Sequence, residues 1–117
     1  MMTKINNKEF ADYLRSLVKN NKRDVKEYYQ LLKNDSEKPY VLHKKANQIT
    51  VVLKGEGKAF IDNKTYDIFE DDILLMTNNT RHSFICESGE MELFHIHVPN
   101  AEILIDRYII REDYREL

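Results

Sequence analysis

The sequence lacks the features that several large classes of protein require. It contains one cysteine, Cys86, which excludes an internal disulfide framework and suits a reducing compartment. No apolar run approaches the roughly 20 residues that cross a bilayer. The amino-terminal stretch MMTKINNKEF lacks the apolar segment of a signal peptide. We therefore expect a cytoplasmic protein with no membrane partner.

An excess of charge of one sign is also missing. The 18 Lys and Arg residues against 20 Asp and Glu residues give a net charge of −2. A nucleic-acid-binding face needs an excess of basic residues to neutralise phosphates, so we expect no nucleic-acid partner. The sequence also contains no phosphate-binding loop, dinucleotide fingerprint, C-x-x-C pair or G-x-S-x-G motif.

The composition that remains is typical of one globular domain. The chain has 117 residues, of which 42% are hydrophobic and 32% charged, and this length allows a single real core. Residues 8–19 carry apolar side chains at helical spacing and predict one amphipathic helix packed on the domain. Asn6 as the N-cap, with Glu9 three residues later, resembles a capping box.

From Pro39 onward, short β-prone runs alternate with turn signals, which predicts an antiparallel sandwich or barrel. These runs are Tyr40–Leu42, Ile49–Leu53, Ala59–Ile61, Thr65–Phe69, Ile73–Met76, Ser83–Ile85, Met91–Val98 and Ile103–Ile110. Asn63 predicts a hairpin turn because asparagine tolerates a positive φ. Residues 24–33 fit either a helix or an edge strand, and we favour the strand. The barrel is thus expected over about residues 24–110, followed by a charged, solvated tail at 111–117.

The segment from His43 to Val98 resembles the cupin superfamily, whose first motif is H-x-H-x(3,4)-E-x6-G. In this chain Val41 occupies the place of the first histidine and His43 that of the second. Gln48 stands where the motif has glutamate, six residues before Gly55.

The second cupin motif, G-x5-P-x-G-x2-H-x3-N, resembles the stretch from Asp71 to Cys86. His82 keeps the histidine, and the other motif positions are substituted, by Asp71, Thr77, Asn79 and Cys86. The hairpin at 58–69 and the later stretches DILLM, NTRHSF and FHIHVP also resemble the sensor domain of AraC-type regulators, which is itself a cupin.

This resemblance implies an all-β, cupin-type double-stranded β-helix, that is, a jelly-roll barrel, with a short N-terminal helix. It also implies a homodimer and, as cofactor, a divalent metal (Fe, Mn, Ni or Zn). The metal ligands would be His43, Gln48 and His82, with His95 or His97 if either faces inward. A neutral glutamine is a poor replacement for a carboxylate because it adds no charge to hold a dication. We therefore favour the alternative, in which these polar residues form hydrogen bonds to a ligand or to water.

Strand alternation places candidate ligand-binding residues on common faces. Gln48 and Thr50 share one face of their strand, and His82 and Phe84 share one face of another, so these four and His43 are expected to bind the ligand. For residues 91–98 we favour the apolar face as the barrel lining. That face is formed by Phe94, Ile96 and Val98. The alternative brings His95 and His97 into the cavity.

Three functions remain open from the sequence, the third being a structural or interaction protein with an empty cavity. The first is a binding protein that holds a sugar or small acid in its barrel. The second is a small cupin enzyme, an isomerase, lyase or metal-dependent oxygenase, with His43 or His82 as the general base, because histidine transfers protons near neutral pH.

Overall fold

The fold was analysed in a computed structural model that describes residues 2–20, 25–36, 39–98 and 107–111. The described residues form two antiparallel five-stranded sheets and a helix. The strands are β1 (Met2–Ile5), β2 (Lys26–Lys33), β3 (Tyr40–His43), β4 (Asn47–Lys54), β5 (Glu56–Ile61), β6 (Lys64–Phe69), β7 (Ile73–Met76), β8 (His82–Ile85), β9 (Glu90–Val98) and β10 (Arg107–Arg111). The first sheet has the order β1-β7-β4-β9-β2, and the second has the order β10-β3-β8-β5-β6. The all-β jelly-roll prediction is therefore confirmed.

Helix α1 (Asn7–Asn20) extends the predicted helix by one residue at each end. The capping box is present: the Glu9 amide donates to Asn6 Oδ1 at 2.8 Å, and the Asn6 amide donates to Glu9 Oε1 at 3.2 Å. Phe10, Tyr13 and Leu14 pack on a buried apolar cluster that includes Ile49 and Ile96. The helix thus covers the outer face of the first sheet, as its amphipathic pattern predicts.

The ambiguous segment forms strand β2, as favoured from the sequence. All eight of its residues pair with β9, from Lys26 opposite His97 to Lys33 opposite Glu90. Strand β1 was not predicted, because four residues without alternation carry no strand signal of their own. It adds to the sheet by pairing with β7.

The predicted hairpin joins β5 to β6. Asp62 and Asn63 both have positive φ, at 48° and 67°, which is the backbone of a type I′ turn. Asp62 also exchanges two hydrogen bonds with the backbone of Arg81, each 3.0 Å long, and so ties the hairpin to the residue that precedes His82.

The predicted strand Ile103–Ile110 overlaps β10, which pairs with β3, but residues 101–106 lie outside the described residues. Apolar residues on both faces of the predicted strand suit a position that is buried or faces a second subunit. In the single chain Tyr108 and Ile109 are 40% and 47% exposed, so these two are not buried. Their position against a second subunit stays a prediction. Arg111, which the sequence assigned to the solvated tail, instead ends β10 and pairs with Tyr40. Residues 112–117 lie outside the described residues, so the rest of the tail stays a prediction.

Two smaller observations complete the fold. Cys86 is 1% exposed and packs in the main apolar cluster as a small hydrophobic residue. Within the described residues, no helix is long and apolar enough to cross a membrane.

Candidate functional site

A cavity of about 210 Å³ lies between the inner faces of the two sheets. Strands of both sheets line it with a mixture of polar and apolar groups. The lining residues are Tyr28, Gln30, Pro39, Val41, His43, Gln48, His82, Ser83, Phe84 and His95. Its volume is below the ~300–1,000 Å³ of pockets for drug-sized ligands, so it fits a smaller molecule.

Strand β9 turns its histidines inward, which corrects the favoured prediction for this strand. His95 and His97 are 1% and 0% exposed and bond to Gln48 inside the barrel. The apolar set of Phe94, Ile96 and Val98 instead packs on the outer face, in the cluster that α1 covers. The physical reason is that both faces of β9 are buried, so apolar character does not distinguish the lining face from the helix-covered one.

His43 and His82 converge inside the barrel as expected. Their rings are 5.3 Å apart between centroids, and the ring of His97 is 4.4 Å from that of His43. His43 ends β3 and His82 begins β8, and the bend at Asn78 and Asn79 holds these ends together. The Asn79 amide donates to the His43 carbonyl at 2.7 Å, and Asn78 bonds to both Asn47 and Lys44.

The His82 ring is oriented by its own loop. Its Nδ1 lies 3.0 Å from the Thr80 carbonyl oxygen, which can only accept, so Nδ1 carries the hydrogen. In the neutral ring Nε2 is then the basic nitrogen. This is the protonation pattern that a general base requires.

Gln48 joins the two histidines of β9 into one hydrogen-bonded chain. His97 Nε2 donates to Gln48 Oε1 at 2.9 Å, and Gln48 Nε2 donates to His95 Nδ1 at 3.0 Å. His95 Nε2 then donates to Gln30 Oε1 at 2.8 Å. Every donor in this interior chain points the same way, from His97 to Gln30.

Burial keeps His95 uncharged. Desolvation, the largest cause, and the neighbouring His82, His97 and His43 together lower the pKa of His95 from 6.5 to about 3. Two donors, Gln48 Nε2 and the Thr50 hydroxyl at 2.8 Å, meet at His95 Nδ1 and therefore require that nitrogen to be unprotonated. The hydrogen-bond pattern and the pKa direction agree on a neutral imidazole.

The structure brings most of the predicted ligand-binding residues to the cavity. His43, Gln48, His82 and Phe84 line it, whereas Thr50 is fully buried behind the lining and bonds to Gln48 and His95. Thr50 is thus a support for the lining and not one of its contacts.

Two lining residues were missed from the sequence. They are Tyr28 and Gln30 of β2, and neither was among the predicted site residues. Gln30 accepts from His95, and Tyr28 Oη lies 3.2 Å from His97 Nε2. Period-two alternation on β2 would have placed Tyr28, Gln30 and Leu32 together once the segment was accepted as a strand.

The donor set fits a divalent metal poorly. Val41 offers no ligand at the first motif position, and both polar atoms of the Gln48 side chain are engaged by His97 and His95. Within the part of the chain that the structure describes, no three His, Cys, Asp or Glu residues are grouped so that they could hold a metal ion. The buried histidines therefore form a hydrogen-bonded network in this geometry.

The fold and this interior site agree with the family assignment from sequence. Residues 28–98 match the family model of the cupin domain, Cupin_2. The chain belongs to the cupin family. None of the curated proteins gives a significant match to it.

Solved structures of similar fold include proteins of different activities. A variant of the salicylate 1,2-dioxygenase from Pseudoaminobacter salicylatoxidans in complex with gentisate is 17% identical, with a TM-score of 0.64 over 74% of this chain and 24% of that chain. The DMSP lyase DddQ from Ruegeria pomeroyi is 11% identical, with a TM-score of 0.65 over 79% of this chain and 46% of that one.

A cupin-2 domain protein from Shewanella frigidimarina is 11% identical, with a TM-score of 0.56 over 63% of this chain and 70% of that one. This chain spans about a quarter of the length of the dioxygenase and less than half of the lyase. At these identities the likeness concerns the fold alone.

Proposed function

We propose that this cupin binds a small polar molecule, a sugar or a small acid, in the barrel cavity without catalysis. The observation that carries the proposal is the cavity of about 210 Å³ in which polar groups from both sheets meet beside apolar walls. A few convergent polar groups in an otherwise apolar pocket are typical of small-molecule sites.

The lining offers the two kinds of contact that such a ligand needs. Phe84 and Tyr28 present aromatic surface, and a phenol adds a polar group to it. Gln30, His43 and His82 supply hydrogen-bonding groups on different strands. A ligand with several hydroxyl or carboxyl oxygens would exchange bonds to water for bonds to these groups.

A matched pair of substitutions on β2 tests the proposal. Gln30 lines the cavity, whereas Leu31 is 42% exposed and faces outward. Gln30→Phe should fill the cavity and abolish ligand-induced thermal stabilisation, and Leu31→Phe should leave it intact. The measurement is a thermal-shift screen of sugars and small carboxylic acids, supported by native mass spectrometry of the purified protein.

A molecule that still stabilises Gln30→Phe as it does the wild type would show that binding occurs elsewhere. If no member of the screen stabilises the wild-type protein and none co-purifies with it, the binding proposal fails.

A second candidate function is a small cupin enzyme, an isomerase or lyase or a metal-dependent oxygenase. The orientation of His82, with Nδ1 bonded to Thr80 and Nε2 as the basic nitrogen, favours it. In this alternative His82 or His43 abstracts a proton from a substrate in the cavity.

Elemental analysis separates the two functions. Stoichiometric Fe, Mn, Ni or Zn in protein purified without added metal, lost in His82→Ala, would favour a metal-dependent enzyme. A stabilising molecule that is recovered chemically unchanged after prolonged incubation, from metal-free protein, would favour the binding function.

A further inference from the structure

We infer that the cavity selects an uncharged molecule bearing hydroxyl or amide groups over a carboxylate of the same shape. This inference rests on the proposed binding function and narrows its ligand class. It derives from the described part of the cavity wall and from the direction of the hydrogen bonds behind it.

The described lining carries no ionised side chain of the usual kinds. Of the described residues that line the cavity, none is Asp, Glu, Lys or Arg. Lys44 and Lys45 follow His43 along the chain, but both are exposed, and the Lys44 ammonium lies 4.3 Å from the centre of the Tyr108 ring. This basic pair therefore does not extend into the described wall.

The hydrogen-bonded chain surrounds His95 with uncharged groups at the cavity wall. The amide of Gln48 sits between His97 and His95, and both nitrogens of His95 bond to uncharged partners. Gln48 thus acts as a positioning residue, because the orientation of its amide sets which nitrogen of each imidazole carries the hydrogen. If His95 were cationic, the hydrogen on its Nδ1 would face the donor groups of Gln48 and Thr50, and these hydrogen bonds would be lost.

A buried carboxylate needs a positive partner, because an isolated ion costs far more to desolvate than a hydroxyl or an amide. Hydroxyl and amide groups both donate and accept, so they match a wall that alternates imidazole and amide groups. The described wall thus favours neutral polar ligands.

Isosteric probe pairs that differ only in charge test the inference. Lactamide is compared with lactate, and glyceramide with glycerate, with glycerol and erythritol as neutral polyols. Calorimetric titration near neutral pH should give about tenfold or greater preference for the neutral member of a pair. Equal or tighter binding of the carboxylate overturns the inference and leaves the binding function standing.

A substitution at the cavity wall gives a second, independent readout. Gln30→Lys places a cation beside the cavity and should reverse the preference towards lactate or glycerate, whereas the outward Leu31→Lys should leave it unchanged. A preference that stays the same in Gln30→Lys as in Leu31→Lys would contradict a charge-based selection. If neither member of any pair binds the wild type, and the wider ligand screen also finds nothing, the binding function itself fails and the inference fails with it.

Discussion

The interior of the barrel has two chemically different ends that are built on the same strands. At one end Val52 of β4 lies opposite Leu93 of β9, inside the main apolar cluster. At the other end Thr50 lies opposite His95, and Gln48 lies opposite His97. Strand β2 repeats the division, with Leu32 in the apolar cluster and Gln30 at the cavity.

The comparison of the two ends shows that alternation along a strand determines only which side chains face inward. The side chains chosen at successive inward positions then decide whether that end of the barrel is core or site. The apolar end is close-packed and stabilises the fold, whereas the polar end leaves a cavity and joins buried polar side chains of β2, β4 and β9 by hydrogen bonds.

Truncation at the apolar end should have the largest effect on stability. Leu93 is fully buried among apolar side chains, so Leu93→Ala should lower the free energy of unfolding by about 2–5 kcal/mol through lost burial and a residual cavity. Urea denaturation measures the loss. The matched change Leu53→Ala, at a 45% exposed position on β4, should cost less than about 0.5 kcal/mol. Similar losses at the two positions would remove the distinction between core and surface.

Lowering the pH should reduce the stability of the fold through His95 at the polar end of the barrel. The pKa of His95 is about 3 in the folded protein and 6.5 as its ordinary value, so the unfolded chain binds the proton more tightly. Stability therefore falls as the pH drops below 6.5, by at most about 1.4 kcal/mol per unit, until the pH reaches the folded value.

The variant His95→Gln isolates this contribution. It should be less stable near neutral pH, because the side chains of Gln30 and Thr50 lose their partner, but its stability should decline less steeply in acid. Denaturation curves collected across this pH range provide the comparison. Identical slopes for the wild type and the variant would assign the acid sensitivity to other groups.

A smaller effect is expected from removing one hydroxyl behind the cavity. Thr50→Val keeps the shape of the side chain but deletes the group that bonds to His95 and Gln48, so it should cost about 1 kcal/mol. Thr65→Val, at an exposed position of β6, should change stability by no more than about 0.5 kcal/mol. A neutral Thr50→Val would mean that the hydroxyl adds nothing to the network.

Features governed by neighbours along the chain were predictable. The capping box of Asn6 and Glu9 and the turn at Asn63 depend on residues within a few positions of each other, so composition and spacing determine them. The convergence of His43 and His82 was also predicted, from strand alternation together with the cupin resemblance.

The interior of the site was predicted less well, because it depends on what covers each face. The outward positions Tyr29 and Leu31 of β2 are apolar yet about half exposed, whereas the inward Gln30 is polar. On β9 the helix buries the outer apolar face, so an apolar face on this strand is not evidence that it lines the barrel. The polarity of a strand face therefore does not identify the inward face of this barrel. The cavity is lined by polar side chains, and the helix buries apolar side chains on the outer face.

Strand β9 should tolerate changes of length poorly. The side chains that face the barrel interior are Leu93, His95 and His97, and the alternate side chains pack in the cluster covered by α1. Inserting or deleting one residue there would exchange the two sets, so that imidazoles would meet the underside of the helix and a phenylalanine would occupy the position of His95. Homologous chains should therefore differ in length at turns such as the one at Asp62 and Asn63 and keep the spacing of β9 constant.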